Sequence, residues 1–198
     1  SFIQKKAMLE LIQTLPPGPL DIIGDIHGEI DSLRQLLKEL DYDEEGDHPD
    51  NRLLVFVGDY CDRGPNSPAV IALVAKLVKA KRAFAILGNH EFNLLRNDAK
   101  DGSGWYFDSQ DAHDQDKFAP YQRASEQERQ EIRNFLLSLP IALEREDIRI
   151  VHAAWDSEAI AQLRGTKDKP LLELYQEWHS ETQEKLTEIK PFVEQEKQ

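Results

Sequence analysis

Leu53-Leu54-Val55-Phe56-Val57-Gly58-Asp59-Tyr60-Cys61-Asp62-Arg63-Gly64 is the stretch on which the fold turns. Its apolar half is too short for an ordinary helix and suits a strand buried on both faces, as in a largely parallel sheet. The run stops at Gly58, and two carboxylates and a guanidinium follow at once. The same grammar recurs on either side of it. Leu20 to Ile23 leads into Gly24-Asp25-Ile26-His27-Gly28, and Ala83 to Leu87 leads into Gly88-Asn89-His90-Glu91. Between these strands, Ile30, Leu33, Leu36, Leu37 and Leu40 lie at helical spacing, and Ser67 to Ala80 reads as a second helix. Strand, loop and helix in alternation predict an α/β sheet covered on both faces, with all three polar blocks where a strand gives way to a loop. In such sheets ligands gather at the carboxyl ends of the strands.

Outside this unit, Ile3, Ala7, Met8, Leu11 and Ile12 predict a helix over residues 3–14, stopped by Pro16-Pro17-Gly18-Pro19. Residues 97–120 have no regular period and read as a surface loop pinned by Trp105, Tyr106, Phe107 and Phe118, with a lid over the site as the functional alternative. Ser125 and Glu128 have capping-box spacing and open a helix to Leu139. Ile141 to Glu144 and Ile148 to His152, parted by Arg145-Glu146-Asp147, form a hairpin that delivers His152 at its end. A polar helix runs on from Pro170.

Composition narrows the classes. The chain has 198 residues, 40% of them hydrophobic, which suits one globular domain over residues 1–198. Mean hydropathy is −0.58 and no apolar run is long enough for a membrane span. The net charge of −13 disfavours broad nucleic-acid binding. One cysteine, Cys61, cannot form an internal disulfide and suits a reducing, cytoplasmic setting; it reads as a small buried packing residue.

A single Gly-Asp is ordinary turn chemistry. The ordered set, joined later by Val151-His152, instead offers hard oxygen and imidazole donors and no thiolate, which suits manganese, iron or zinc. His48 and His113 lie in polar loops and read as solvated. His179, beside Trp178 in a helical pattern, reads as packing or surface.

On these blocks the chain resembles the calcineurin-like metallophosphoesterases over roughly residues 20–155. Asp62-Arg63-Gly64 draws it toward the branch of phosphoprotein phosphatases and symmetrical diadenosine tetraphosphate hydrolases. The resemblance implies a β-sandwich of two mixed sheets flanked by helices, lacking its C-terminal part. It implies two divalent metal ions, manganese first, with Asp25 and His27 on one, Asp59 bridging both, and Asn89 and His152 on the other. It further implies His90 as proton donor oriented by Asp62, Arg63 clamping phosphoryl oxygens, and attack on phosphorus by a metal-bridging hydroxide. Asp25 and His27, two apart on an extended segment, would point to one side. The expected substrate is a phosphorylated small molecule or a phosphoprotein hydrolysed as a phosphomonoester. A dinucleoside polyphosphate hydrolase and a non-catalytic interaction scaffold on the same fold are the alternatives. The chain departs from the family pattern in lacking a late Gly-His block after His152. It also has Leu87 where eukaryotic-type protein phosphatases carry Arg, and Ala153 where they carry Gly.

Overall fold

The computed structural model describes residues 10–166 and 169–195. In chain order the elements are β1 (Ile12–Thr14), β2 (Leu20–Ile23), α1 (Ile30–Glu39), β3 (Leu53–Phe56), α2 (Ser67–Lys79), β4 (Ala83–Ala85) and α3 (Asn89–Leu95). They continue with α4 (Asp108–Lys117), α5 (Glu126–Leu136), β5 (Ala142–Arg145), β6 (Ile148–Val151), α6 (Ser157–Gly165) and α7 (Leu171–Gln195). The strands form two three-stranded sheets, ordered β2-β3-β4 and β1-β5-β6. The first sheet is parallel throughout, because each of its connections crosses over through a helix. The second is mixed, with β1 parallel to β5 and β5 antiparallel to β6. The expectation of two mixed sheets therefore holds for one of them among the described residues.

Strand alternation divides the core into layers. Val55, Ile86, Leu15, Leu143 and Ile150 are buried together between the two sheets. On the other side of β3, Leu54 and Phe56 turn toward α1, α2 and α5, meeting Leu33, Val70, Val74 and Leu136. The outer face of the second sheet packs Ala142 and Leu11 against Ile160, Leu163 and Leu174 from α6 and α7.

The helix expected over residues 3–14 is overturned at its end: Ile12–Thr14 is a strand in register with Ala142, Leu143 and Glu144. Residues 1–9 lie outside the described residues. Leu11 and Leu15 are buried on different sides of that sheet, so tertiary pairing overrides the local helical period. The 97–120 segment contains α4 and carries Trp105, buried to 1% exposure, into the core. The capping box at Ser125 is present, with the Glu128 carboxylate accepting from the Ser125 backbone N–H at 2.7 Å.

An ion pair ties β2 to the chain entering β3. Arg52 donates to Asp21 through Nε at 2.7 Å and Nη2 at 2.6 Å, and the Tyr42 hydroxyl donates at 2.7 Å. Asp21→Asn is expected to cost about 1–2 kcal/mol in urea unfolding at pH 7, because a charge-assisted fork is lost. The Arg52 hydrogen bond holds the Asp21 carboxyl below its ordinary 3.8. A lowered folded value means the contribution is full above the unfolded pKa and fades as pH falls through the folded one. The gap between variant and parent should therefore narrow below pH 4; a gap that grew in acid would contradict this account.

Candidate metal centre

The polar blocks are stitched to one another through their backbones. Ile26 and His27 both donate their N–H to the Asp59 carbonyl at 2.9 Å, and Gly28 donates to that of Tyr60 at 2.8 Å. These bonds bend the first block, and His27 takes φ +46°, so the segment is a turn and not the extended run expected from spacing. Asp25 and His27 still approach, with Asp25 Oδ2 4.0 Å from His27 Nε2. A Cβ on Gly58, at φ +99°, would lie 2.4 Å from the Gly88 nitrogen, and one on Gly64 would lie 1.8 Å from the His27 carbonyl oxygen. Only glycine admits such backbone approach. Asp59, Asp62 and Arg63 also have positive φ, at 54°, 75° and 71°. Strain of this kind persists where surrounding bonds over-determine the chain, as they do here.

His27, Asp59 and His90 come together, as do Asp25, Asp59 and His152, each group with ligand atoms within 4.8 Å of one another. Asp59 belongs to both groups and is 4% exposed. Its Oδ2 lies 4.0 Å from His27 Nε2 and 3.3 Å from His152 Nε2. Asn89 joins through Oδ1, 2.9 Å from His152 Nε2.

The tautomers decide what this cluster can hold. His27 Nδ1 meets the Cys61 carbonyl at 2.9 Å, and His152 Nδ1 meets that of Val57 at 2.8 Å. A carbonyl only accepts, so each Nδ1 carries a proton, and Nε2 is the ring nitrogen that each imidazole turns toward Asp59. Carboxylate, amide and imidazole ligand atoms therefore converge on one small volume, a set that divalent cations take. The donor chemistry thus fits divalent ions, and the backbone carbonyls orient both imidazoles for them.

Beside this cluster, His90 Nδ1 pairs with Asp62 Oδ2 at 2.6 Å, both residues buried. That bond, opposed by burial and reinforced by the Asp62 and Asp59 charges, raises the His90 pKa above its ordinary 6.5. Asp62 is held on its other oxygen by the Trp105 indole N–H at 2.6 Å. Trp105→Phe should leave a buried carboxylate oxygen without its donor. A loss of about 1–3 kcal/mol in chemical unfolding is expected, larger than a surface substitution produces; unchanged stability would mean that water replaces the indole. Arg63 is exposed and forms no ion pair among the described residues. It lines, with Asn89 and His90, a cleft of about 440 Å³.

Sequence reasoning missed the role of Glu91. Fully buried, it accepts from the backbone N–H groups of Asp59, Gly88 and Tyr60 and from Cys61 Sγ. It sits in the first turn of α3, so the third block opens a helix and not the loop expected. An Asn-His-Glu run after a glycine carries the helix-start signal, with the acidic residue placed to reach back to the chain before it. Trp105 had no comparable signal, because its partner lies 43 residues away. Of the other histidines, His179 is exposed and stacks on Tyr175, and His48 packs its ring edge against Tyr42. His113 lies 3.4 Å from Asp101, which Lys117 already pairs.

Known proteins were compared with this chain in sequence and in fold. A bis(5'-nucleosyl)-tetraphosphatase PrpE, described as asymmetrical, from Halalkalibacterium halodurans is 52% identical over 79 residues, covering 38% of this chain and 32% of that protein. Its namesake in Oceanobacillus iheyensis is 50% identical over 80 residues, covering 39% and 32%. The match thus spans about a third of the length of these relatives. Among solved structures, a cold-active protein-tyrosine phosphatase from a psychrophilic Shewanella species superposes with a TM-score of 0.54. Its identity is 23% over 78% of this chain and 50% of that one, a likeness of fold alone. No helix among the described residues is long and apolar enough to cross a membrane. The calcineurin-like phosphoesterase family model matches residues 18–192, nearly the whole length, and on that match the chain belongs to the calcineurin-like phosphoesterase family.

Proposed function

We propose that this chain carries the catalytic part of a metal-dependent phosphoesterase, a hydrolase of phosphoric ester or anhydride bonds. The observation that carries the reading is the convergence of His27 and His152 Nε2, each ring held through Nδ1 by a backbone carbonyl, on the shared Asp59 carboxylate. Asp25, His27 and Asp59 would hold one divalent ion, and Asp59, Asn89 and His152 the other. When bound, such ions neutralise phosphoryl oxygens and make water acidic enough to attack near neutral pH. Manganese, iron and zinc all suit this donor set.

The remaining roles belong to the chain's own residues. Arg63, exposed and without an ion pair among the described residues, would hold phosphoryl oxygens. His90, fixed through Nδ1 by Asp62, presents Nε2 as the free ring nitrogen, from which a proton reaches the leaving oxygen. Trp105 and Asp62 position that ring.

For the substrate, the curated relatives are named for dinucleoside tetraphosphates, which favours the dinucleoside polyphosphate alternative over the phosphomonoester expectation. They are described as asymmetrical hydrolases, whereas the sequence resemblance leaned to the symmetrical kind. The buried Asp62–His90 pair supports phosphomonoester hydrolysis as a second reading, because an alkoxide needs a proton to leave.

The test is metal removal. Chelated protein should hydrolyse neither p-nitrophenyl phosphate nor diadenosine tetraphosphate, and manganese should restore turnover of at least one. Protein that binds no divalent metal and shows no turnover after addition would overturn the proposal in favour of the scaffold alternative. We also propose that residues 1–198 form one domain in a cytoplasmic protein.

A further inference from the structure

The cleft beside His90 is lined by a set of side chains with one chemical character. Arg63 and Lys100 bring positive charge, Asn89, Asn93 and Gln110 bring amides, and Ala99 is its single apolar residue. The one carboxylate on its wall, Asp101, is already engaged by Lys117 and by His113 at 3.4 Å. Lys100 is half exposed and is steadied by Asp98, 3.0 Å from its Nζ. With Asp98 set against Lys100 and Lys117 against Asp101, Arg63 is the wall cation with no ion pair among the described residues, a local attraction for an anion in a chain of net charge −13.

Position gives the cleft its meaning. His90 Nδ1 is taken by Asp62, so a substrate group leaving with help from this ring must approach Nε2, and His90 lines the cleft. The cleft continues from there along α3 past Asn93 to residues 99–101. At about 440 Å³ it takes a whole molecular moiety and not a lone phosphate. A wall with no Phe, Tyr or Trp, one apolar residue, and Arg63 and Lys100 among its polar side chains does not suit a phenol or an apolar alcohol. It suits a leaving group that is itself phosphorylated, which needs charge neutralisation more than it needs a proton.

We propose that this cleft is the leaving-group subsite and that Lys100 is a specificity-determining residue for substrates whose leaving group is a nucleoside phosphate. The inference rests on the phosphoesterase reading above and names the substrate class for that site. In the hydrolysis, an oxygen of water bonds to phosphorus and the P–O bond to the leaving phosphate breaks. The departing oxygen keeps the electron pair beside Lys100, and the proton from water is released to solvent or, through His90, to that oxygen.

The test compares diadenosine tetraphosphate with p-nitrophenyl phosphate in the full-length, manganese-loaded protein. Lys100→Gln should lower kcat/KM for the first by about tenfold or more, as expected for one charged contact. The second should stay within about twofold. Lys100→Arg should restore most of the loss, and added salt should shrink the difference between parent and variant. Equal losses on both substrates, or none on either, would overturn the assignment. Parent protein that turns over p-nitrophenyl phosphate but not the tetraphosphate would also overturn it, while leaving the phosphoesterase reading intact. Parent protein inactive on both would remove that reading and this inference with it.

Discussion

Asp59→Asn is expected to lower turnover by at least about 10³-fold, several kcal/mol of transition-state stabilisation, because it is the one carboxylate in both ligand groups. Metal titration should show both steps weakened, since the amide offers less charge to either ion. The metal-free protein should not suffer. Asn Oδ1 can still accept from the His90 N–H, a bond of 3.1 Å in the parent. The buried Asp59 charge, moreover, faces Glu91, whose carboxyl is raised above its ordinary 4.5 by burial first and by Asp59 second. Removing one of two neighbouring buried charges relieves repulsion, so the metal-free melting midpoint should hold or rise. The extra stability gained with manganese should fall; for a parent site at about a hundred times its Kd, that gain is roughly 2.7 kcal/mol. Normal turnover with both sites filled would remove Asp59 from the bridging position.

What the sequence disclosed about this site follows from where its residues sit. Asp25, His27, Asp59, Asn89 and His152 each follow a short apolar strand, and a buried strand with an abrupt polar end is visible without coordinates. The structure brings these five together, with His90, Asp62 and Arg63 beside them. Invisible were the residues that hold them. Glu91 acts on backbone N–H groups up to 32 residues away, and Trp105 reaches Asp62 from a segment with no period. Neither bond leaves a mark on local spacing.

The fold divides along the same line. The β2–α1–β3–α2–β4 unit was legible because two periods, strand and helix, alternate with clear breaks between them. The failures came where a short segment could satisfy either period. Leu11 and Ile12 fit a helical stripe, yet the hydrogen bonds from β5 made the segment a strand. The helix α6 escaped notice because its buried residues, Ile160 and Leu163, make only one turn of pattern. Ser157–Gly165 is nevertheless helical, started by the Asp156 side chain accepting from the Ala159 N–H at 2.7 Å.

Glu91→Gln should have the opposite effect on the metal-free protein, although it too removes one buried negative charge next to the cluster. Glu91 Oε2 accepts from the Asp59 N–H at 2.8 Å and the Gly88 N–H at 3.0 Å; Oε1 accepts from the Tyr60 N–H at 2.7 Å and Cys61 Sγ at 3.3 Å. Each oxygen therefore faces donors only. In glutamine, whichever way the amide is turned, its NH₂ meets donors and leaves buried N–H groups without an acceptor. The expected cost is about 2–4 kcal/mol in chemical unfolding, since orphaned buried donors pay their full desolvation. Because these bonds set the backbone of Asp59 and the start of α3, metal affinity should also fall by about 10–100-fold, the usual effect of loosening groups that orient ligands. Glu91→Asp keeps the charge but is one methylene short, and should lose stability as well, which separates the geometric role from the electrostatic one. Metal-free Glu91→Gln as stable as the parent would show that the carboxylate is not the acceptor joining these two blocks, and the opposite signs expected at positions 59 and 91 would then have no basis.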